Sequence, residues 1–146
     1  MHGERFTAVD AHQLPGSVQR PRPPFTVAAA GPKALALTAR YAEAWVTYGP
    51  YGAATGPAEW LAAIAEQSGR LTDALAVAGR EPTAVRRVVL VDLAATWPFE
   101  SAERYAEVLG RLAEAGVDEV GVHWPRPDGR GVPAGALPFV LAAHGL

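Results

Sequence analysis

Four short, continuously apolar runs punctuate the chain: FTVAAA at 25–30, AWVTYG at 44–49, RRVVLVDLA at 86–94 and DEVGVHW at 118–124. Apolar character that is continuous rather than alternating predicts parallel strands buried on both faces by helices. The segments between the runs carry a helical period. Residues 33–42, rich in Ala and Leu after Pro32, predict a first helix, and residues 57–78 place Trp60, Ile64, Leu71 and Leu75 on one face of a second. Pro57 suits the first helical position, Glu59 faces the positive end of the dipole, and Ala78-Gly79 marks the stop. The third helix has the clearest ends. Ser101 caps it, Tyr105, Val108, Leu109 and Leu112 form its stripe, and Gly116-Val117 reads as a Schellman stop. A last helix over 133–143 shows Leu137, Val140 and Leu141 on one side, with Pro138 as a local irregularity.

The first two dozen residues break this rhythm. QLPGSVQRPRPP, with Pro15, Pro21, Pro23 and Pro24, suits neither a helix nor a central strand and predicts an extended connector. Before it, ERFTAVDA alternates weakly enough for a short edge strand or hairpin arm. The order strand–helix repeated four times predicts an α/β fold with a parallel sheet and right-handed crossovers. A doubly wound open sheet and a section of a barrel of alternating strands and helices both satisfy it.

Composition narrows the function classes. With 146 residues and 49% hydrophobic content the chain can form one ordinary core. Thirteen basic against fifteen acidic residues leave a net charge of -2, which argues against an electrostatic grip on nucleic acid or on a membrane surface. Cysteine is absent, the first residues lack the apolar core of a signal peptide, and no apolar run approaches the roughly 20 residues of a membrane span. A cytoplasmic location is the expectation. His2, His12, His123 and His144 fall at no metal-ligand spacing, so no metal site is expected, and no G-x-S-x-G surrounds a serine.

Several candidate positions lie where the predicted strands end, the edge at which both architectures bind ligands. Ala28, Ala29, Ala30 and Gly31 form a small-residue turn before Pro32, which opens a helix. Such a turn is either a tight strand–helix junction or a place where backbone N–H groups at a helix start meet a phosphate. It is neither a Walker loop nor a G-x-G-x-x-G fingerprint. Thr47-Tyr48-Gly49-Pro50-Tyr51-Gly52 supplies hydroxyls and aromatic rings that either line a flavin-sized pocket or make an ordinary glycine turn. His123 closes the last strand and is a candidate acid, base or substrate contact, while Asp92 is the one charge in VVLVDLA.

The stretches PGSVQRPRPPFTVAAAGPKALALTARYAEAWVTYG, AGREPTAVRRVVLV and YAEVLGRLAEAGVDEVGVHWP together resemble the luciferase-like flavin- and deazaflavin-dependent oxidoreductases, across nearly the whole chain. The resemblance implies an eight-stranded barrel of about 250 residues. It implies a reduced FMN or the deazaflavin coenzyme F-420 as cofactor, and a small organic substrate. The turn before Gly-Pro lies against the cofactor phosphate in deazaflavin-dependent members, which points to the backbone of Ala29, Ala30 and Gly31, with Thr47 nearby. Two positions depart from the family pattern: Glu43-Ala44 stands where Asp-Gly or Asp-Ala is usual, and Ala30 where a side-chain contact is frequent.

The stretches match the C-terminal half of that barrel, so the expectation is a (β/α)8 TIM barrel's last four parallel β-α units at 25–146, preceded by an extended segment at 1–24. Such a half leaves two sheet edges and an inner face open, which predicts a homodimer or association with a separate barrel half. A non-catalytic half-barrel subunit that works by association is the alternative function.

Overall fold

A computed structural model of the chain describes residues 4–11, 15–50, 56–93 and 96–146. Strands and helices alternate: β1 (Thr26–Ala28), α1 (Pro32–Tyr41), β2 (Ala44–Thr47), α2 (Pro57–Val77), β3 (Arg86–Leu90), α3 (Ala102–Glu114), β4 (Glu119–Gly121) and α4 (Leu137–Ala143). Each strand is shorter than the apolar run that predicted it. Among the described residues, the remainder of each run after the strand's last residue turns away as a loop. Among the described residues, the 3-10 turns Pro82–Ala84, Trp97–Phe99 and Ala134–Ala136 are too short to leave a period in the sequence.

Helix ends follow local chemistry closely. Ser101 Oγ accepts from the Arg104 N–H at 3.1 Å. At the other end of α3 the Val117 N–H donates to the Leu112 carbonyl and Gly116 adopts φ 77°. That is the anticipated Schellman stop. Gly79 ends α2 in the same manner, with the Arg80 N–H on the Leu75 carbonyl, and Gly145 repeats it after α4.

The strands form one parallel sheet in the order β1-β2-β3-β4. A doubly wound sheet reverses strand order at its switch point, and this one does not. Sequential parallel strands joined by right-handed crossovers keep every helix on one face, which is a partial TIM-barrel-like unit. Burial alternates accordingly. Trp45, Thr47, Arg87, Val89 and Val91 are buried toward the helices, whereas Val46, Val88 and Leu90 on the other face are half-exposed. Burial on both faces, inferred from the continuous apolar runs, is therefore corrected. Both sides are apolar, but the helices cover only one.

Residues 4–11 contain an isolated bridge at Thr7 and no strand, because Phe6 and Val9 stay exposed and the segment has no face to bury. The connector nevertheless ends in a clamp. Arg22 forks onto the Glu43 carboxylate at 2.9 and 3.0 Å and donates to the Tyr41 carbonyl, while the Phe25 N–H reaches Glu43 at 2.6 Å. The Arg22 guanidinium, then the Phe25 N–H, hold the Glu43 carboxyl below its ordinary range. Glu43, the departure from the family pattern, thus locks the start of β1 against β2.

The larger core cluster gathers Trp60, Val89, Val91, Phe99, Tyr105, Leu112 and Val140 beneath β3. Burial, with the Asp92 charge second, pushes the Tyr105 phenol up to about 12. A raised phenol keeps its stabilising contribution below its unfolded value near 10 and loses it as pH rises toward about 12. Urea denaturation should therefore show stability falling across that window, and Tyr105→Phe should flatten the fall; an unchanged slope in the variant would contradict the assignment.

Candidate functional site

Parallel pairing brings the carboxyl ends of all four strands to one rim. After β1 the chain runs through Ala29, Ala30 and Gly31 into α1. The Ala29 carbonyl accepts from the buried Trp45 indole at 2.7 Å, which ties this turn to the neighbouring strand. Ala28, Ala30 and Gly31 are exposed. Gly31 has an ordinary φ of -87°, and a Cβ built there would meet nothing within 4 Å. Neither backbone strain nor close packing requires glycine, so the space above the turn is open. No side chain caps the start of α1, and Pro32 occupies its first turn. The leading N–H groups of that helix have no intrahelical acceptor.

The turn after β2 lies beside it. Residues 28–30 and 46–49 line a common hollow of about 150 Å³. Ala29, Ala30 and Thr47 thus come together, with Gly31 next in the chain. The hollow is smaller than the roughly 300–1,000 Å³ of pockets that enclose a whole drug-sized ligand. It suits one end of a larger molecule. Thr47 is buried toward α2, where its hydroxyl donates to Gln67 at 2.6 Å and accepts from the Gly49 N–H at 3.1 Å. Its hydroxyl therefore shapes the wall of the hollow. Gly49 is required there: at φ 80° a Cβ would lie 2.6 Å from Trp60 Nε1, and that indole donates to the Tyr48 carbonyl at 3.1 Å. Tyr51 and Gly52 lie outside the described residues.

The ends of β3 and β4 hold a feature that sequence left as two separate residues. Asp92 and His123 are partners. The His123 N–H donates to Asp92 Oδ1 at 3.1 Å, and ring Nδ1 lies 3.2 and 3.0 Å from the two carboxylate oxygens. The Asp92 side chain is 1% exposed and the His123 side chain 38%. A loop folds back to hold His123 from its other side, with the Val132 N–H donating to the His123 carbonyl at 3.0 Å. That approach requires Gly131. It adopts φ 82°, and a Cβ would sit 2.4 Å from the Trp124 carbonyl oxygen and 2.8 Å from that of His123.

A larger cavity, about 580 Å³, lies at the opposite, amino end of the strands and is lined in part by Ser68, Thr72, Arg87 and Asp118. Arg87 there donates to the Pro82 carbonyl and the Thr72 hydroxyl, joining β3 to α2. Barrel chemistry sits at the carboxyl rim and the amino end serves stability, so size alone does not make this cavity the site. Among the described residues no group of His, Asp and Glu could hold a metal ion, and no helix is long and apolar enough to cross a membrane. His2 and His12 lie outside the described residues, and His144 pairs with the Tyr105 hydroxyl at 2.9 Å.

The sequence model of the luciferase-like monooxygenases matches residues 1–126. The chain belongs to that family. Comparison with curated proteins finds none that matches. Family membership carries a flavin-dependent type of oxidoreductase with it, and the carboxyl rim is the edge at which such a fold binds its ligands.

Sequence reasoning missed Asp92 as the partner of His123 and missed Gly131 altogether. The signal for the first lay in its position, since both residues end neighbouring strands two positions beyond the register pair Leu90 and Gly121. Nothing local marked the second. Gly131→Ala should cost about 1–3 kcal/mol and shift the His123 imidazole resonances; wild-type stability with an unmoved imidazole would refute the tight approach.

Proposed function

We propose that this chain is a luciferase-like oxidoreductase unit, half of a (β/α)8 barrel, that anchors a flavin cofactor by its phosphate at the β1–α1 turn. FMN and the deazaflavin coenzyme F-420 both offer that phosphate. The observation that carries the reading is the hollow lined by residues 28–30 and 46–49 against the open, uncapped start of α1. Backbone N–H groups and the positive end of the helix dipole favour an anion at such a place. Ala29, Ala30 and Gly31 would present backbone alone, and the hollow beside them would take the phosphate end of the cofactor. When bound, the cofactor supplies the electrons for oxygen activation or hydride transfer to a small organic substrate. Strand spacing puts β3 about 10 Å along the rim from β1. The ring would extend toward Asp92 and His123, and His123 is the side chain there able to exchange a proton with substrate.

Thermal shift with FMN, F-420 and riboflavin tests the anchor. A ligand at about 100 times its Kd adds about 2.7 kcal/mol, several degrees in Tm. FMN or F-420 should raise Tm, riboflavin should do so less, and Ala30→Glu, an exposed substitution, should abolish the response by repulsion. No response to either phosphorylated cofactor would sink the reading; an equal response to riboflavin would remove the phosphate anchor.

We propose further that the sheet is completed by a second copy of this chain. All strands are parallel and in sequence order, so β4 of one copy can pair with β1 of the other at both edges, closing with two-fold symmetry. Such closure uses each edge once and covers the half-exposed Val46, Val88 and Leu90. Light scattering behind size exclusion should give about twice 15.3 kDa. A monomer persisting at high concentration would refute it.

A further inference from the structure

We propose that Asp92 is a positioning residue that fixes His123 as a proton acceptor at Nε2, directed at a rim ligand that offers an O–H or N–H proton. The proposal deepens the reading of the carboxyl rim as the ligand-binding edge and rests on it. An ionised carboxylate only accepts hydrogen bonds. With both its oxygens within 3.2 Å of Nδ1, the proton of the neutral ring belongs on Nδ1, which leaves the lone pair on Nε2. The His123 side chain is over a third exposed, while the carboxylate behind it is shielded from water.

His123 has little freedom to turn away. Its N–H is held by Asp92 and its carbonyl by the Val132 N–H, and Gly131 packs against the same backbone. Pre-positioning of this kind is what a general base needs, because geometry precedes proton affinity in deciding whether transfer occurs. In the step itself the ligand's X–H bond breaks, its electron pair stays on X, and an Nε2–H bond forms. The imidazolium charge then lies against the Asp92 carboxylate, and nothing is oxidised or reduced. Among the described residues the other hydrogen-bonded histidine, His144, faces Tyr105 and takes no part.

A purely structural role would need only the bond from the His123 N–H to Asp92, tying β3 to β4. Asp92→Asn separates the two. Asparagine keeps an oxygen for the backbone N–H but turns an amide N–H toward Nδ1, which reverses the tautomer. Long-range proton–nitrogen NMR on the full chain labelled at histidine, without cofactor, should show Nδ1 protonated and Nε2 bare in the wild type, and the reverse in Asp92→Asn. Acylation of His123 by diethyl pyrocarbonate, read by peptide mass, should fall severalfold in the variant. A wild-type ring protonated on Nε2, or averaging between tautomers, overturns the proposal even if the variant fails to fold. So does a variant with unchanged tautomer and acylation rate. Neither readout involves a flavin, so failure of cofactor binding and failure of this pair are separately visible.

Discussion

Parallel pairing in sequence order obliges every strand of this sheet to end at the same rim, and the candidate chemistry depends on that constraint. The register aligns Ala28 with Val46, Val46 with Val88, and Leu90 with Gly121. Whatever follows each strand is therefore delivered to one edge. Two buried indoles secure the first two turns there, Trp45 holding the Ala29 carbonyl and Trp60 the Tyr48 carbonyl. A buried indole N–H needs an acceptor, so each tryptophan fills the core and restrains a rim turn through one side chain.

The same topology gives the sheet two unlike faces. Right-handed crossovers collect α1, α2 and α3 on one side, where Leu35, Leu71 and Leu75 pack with Trp45 and Val85, and Trp60, Tyr105 and Leu112 pack with Val89 and Val91. The other side carries Val46, Val88 and Leu90 half-exposed, with the exposed Arg86–Glu119 pair at its base. An exposed ion pair contributes little stability, so the apolar residues dominate the energetics of that face. The small-residue turn lies at the rim above this apolar face, and a barrel's ligand lies over the end of its filled interior.

Three glycines show how differently one residue type is used along this rim. Gly49 and Gly131 have positive φ and stand where a Cβ would collide, with Trp60 in one case and with backbone carbonyls in the other. Gly31 has an ordinary φ and open space around it. The first two are demanded by the fold. The third is not demanded by the fold, and Gly56 before α2 shares its ordinary φ, open surroundings and uncapped helix start.

Much of the scaffold was legible in the sequence because it depends on near neighbours. Helix periods, the Ser101 cap, the Gly116 stop and the alternation of strand and helix all reflect interactions within a few residues, and they predicted the parallel α/β fold. The small-residue turn at Ala29, Ala30 and Gly31 was visible for the same reason. What only tertiary structure decided involves partners distant along the chain. Strand order separated the barrel-like section from a doubly wound sheet, helix placement left one apolar face half-exposed, and Asp92 met His123 across 31 positions. Apolar runs look alike whether one face or both are covered, and a carboxylate and a histidine show no sign of each other until pairing of β3 with β4 brings their strand ends together.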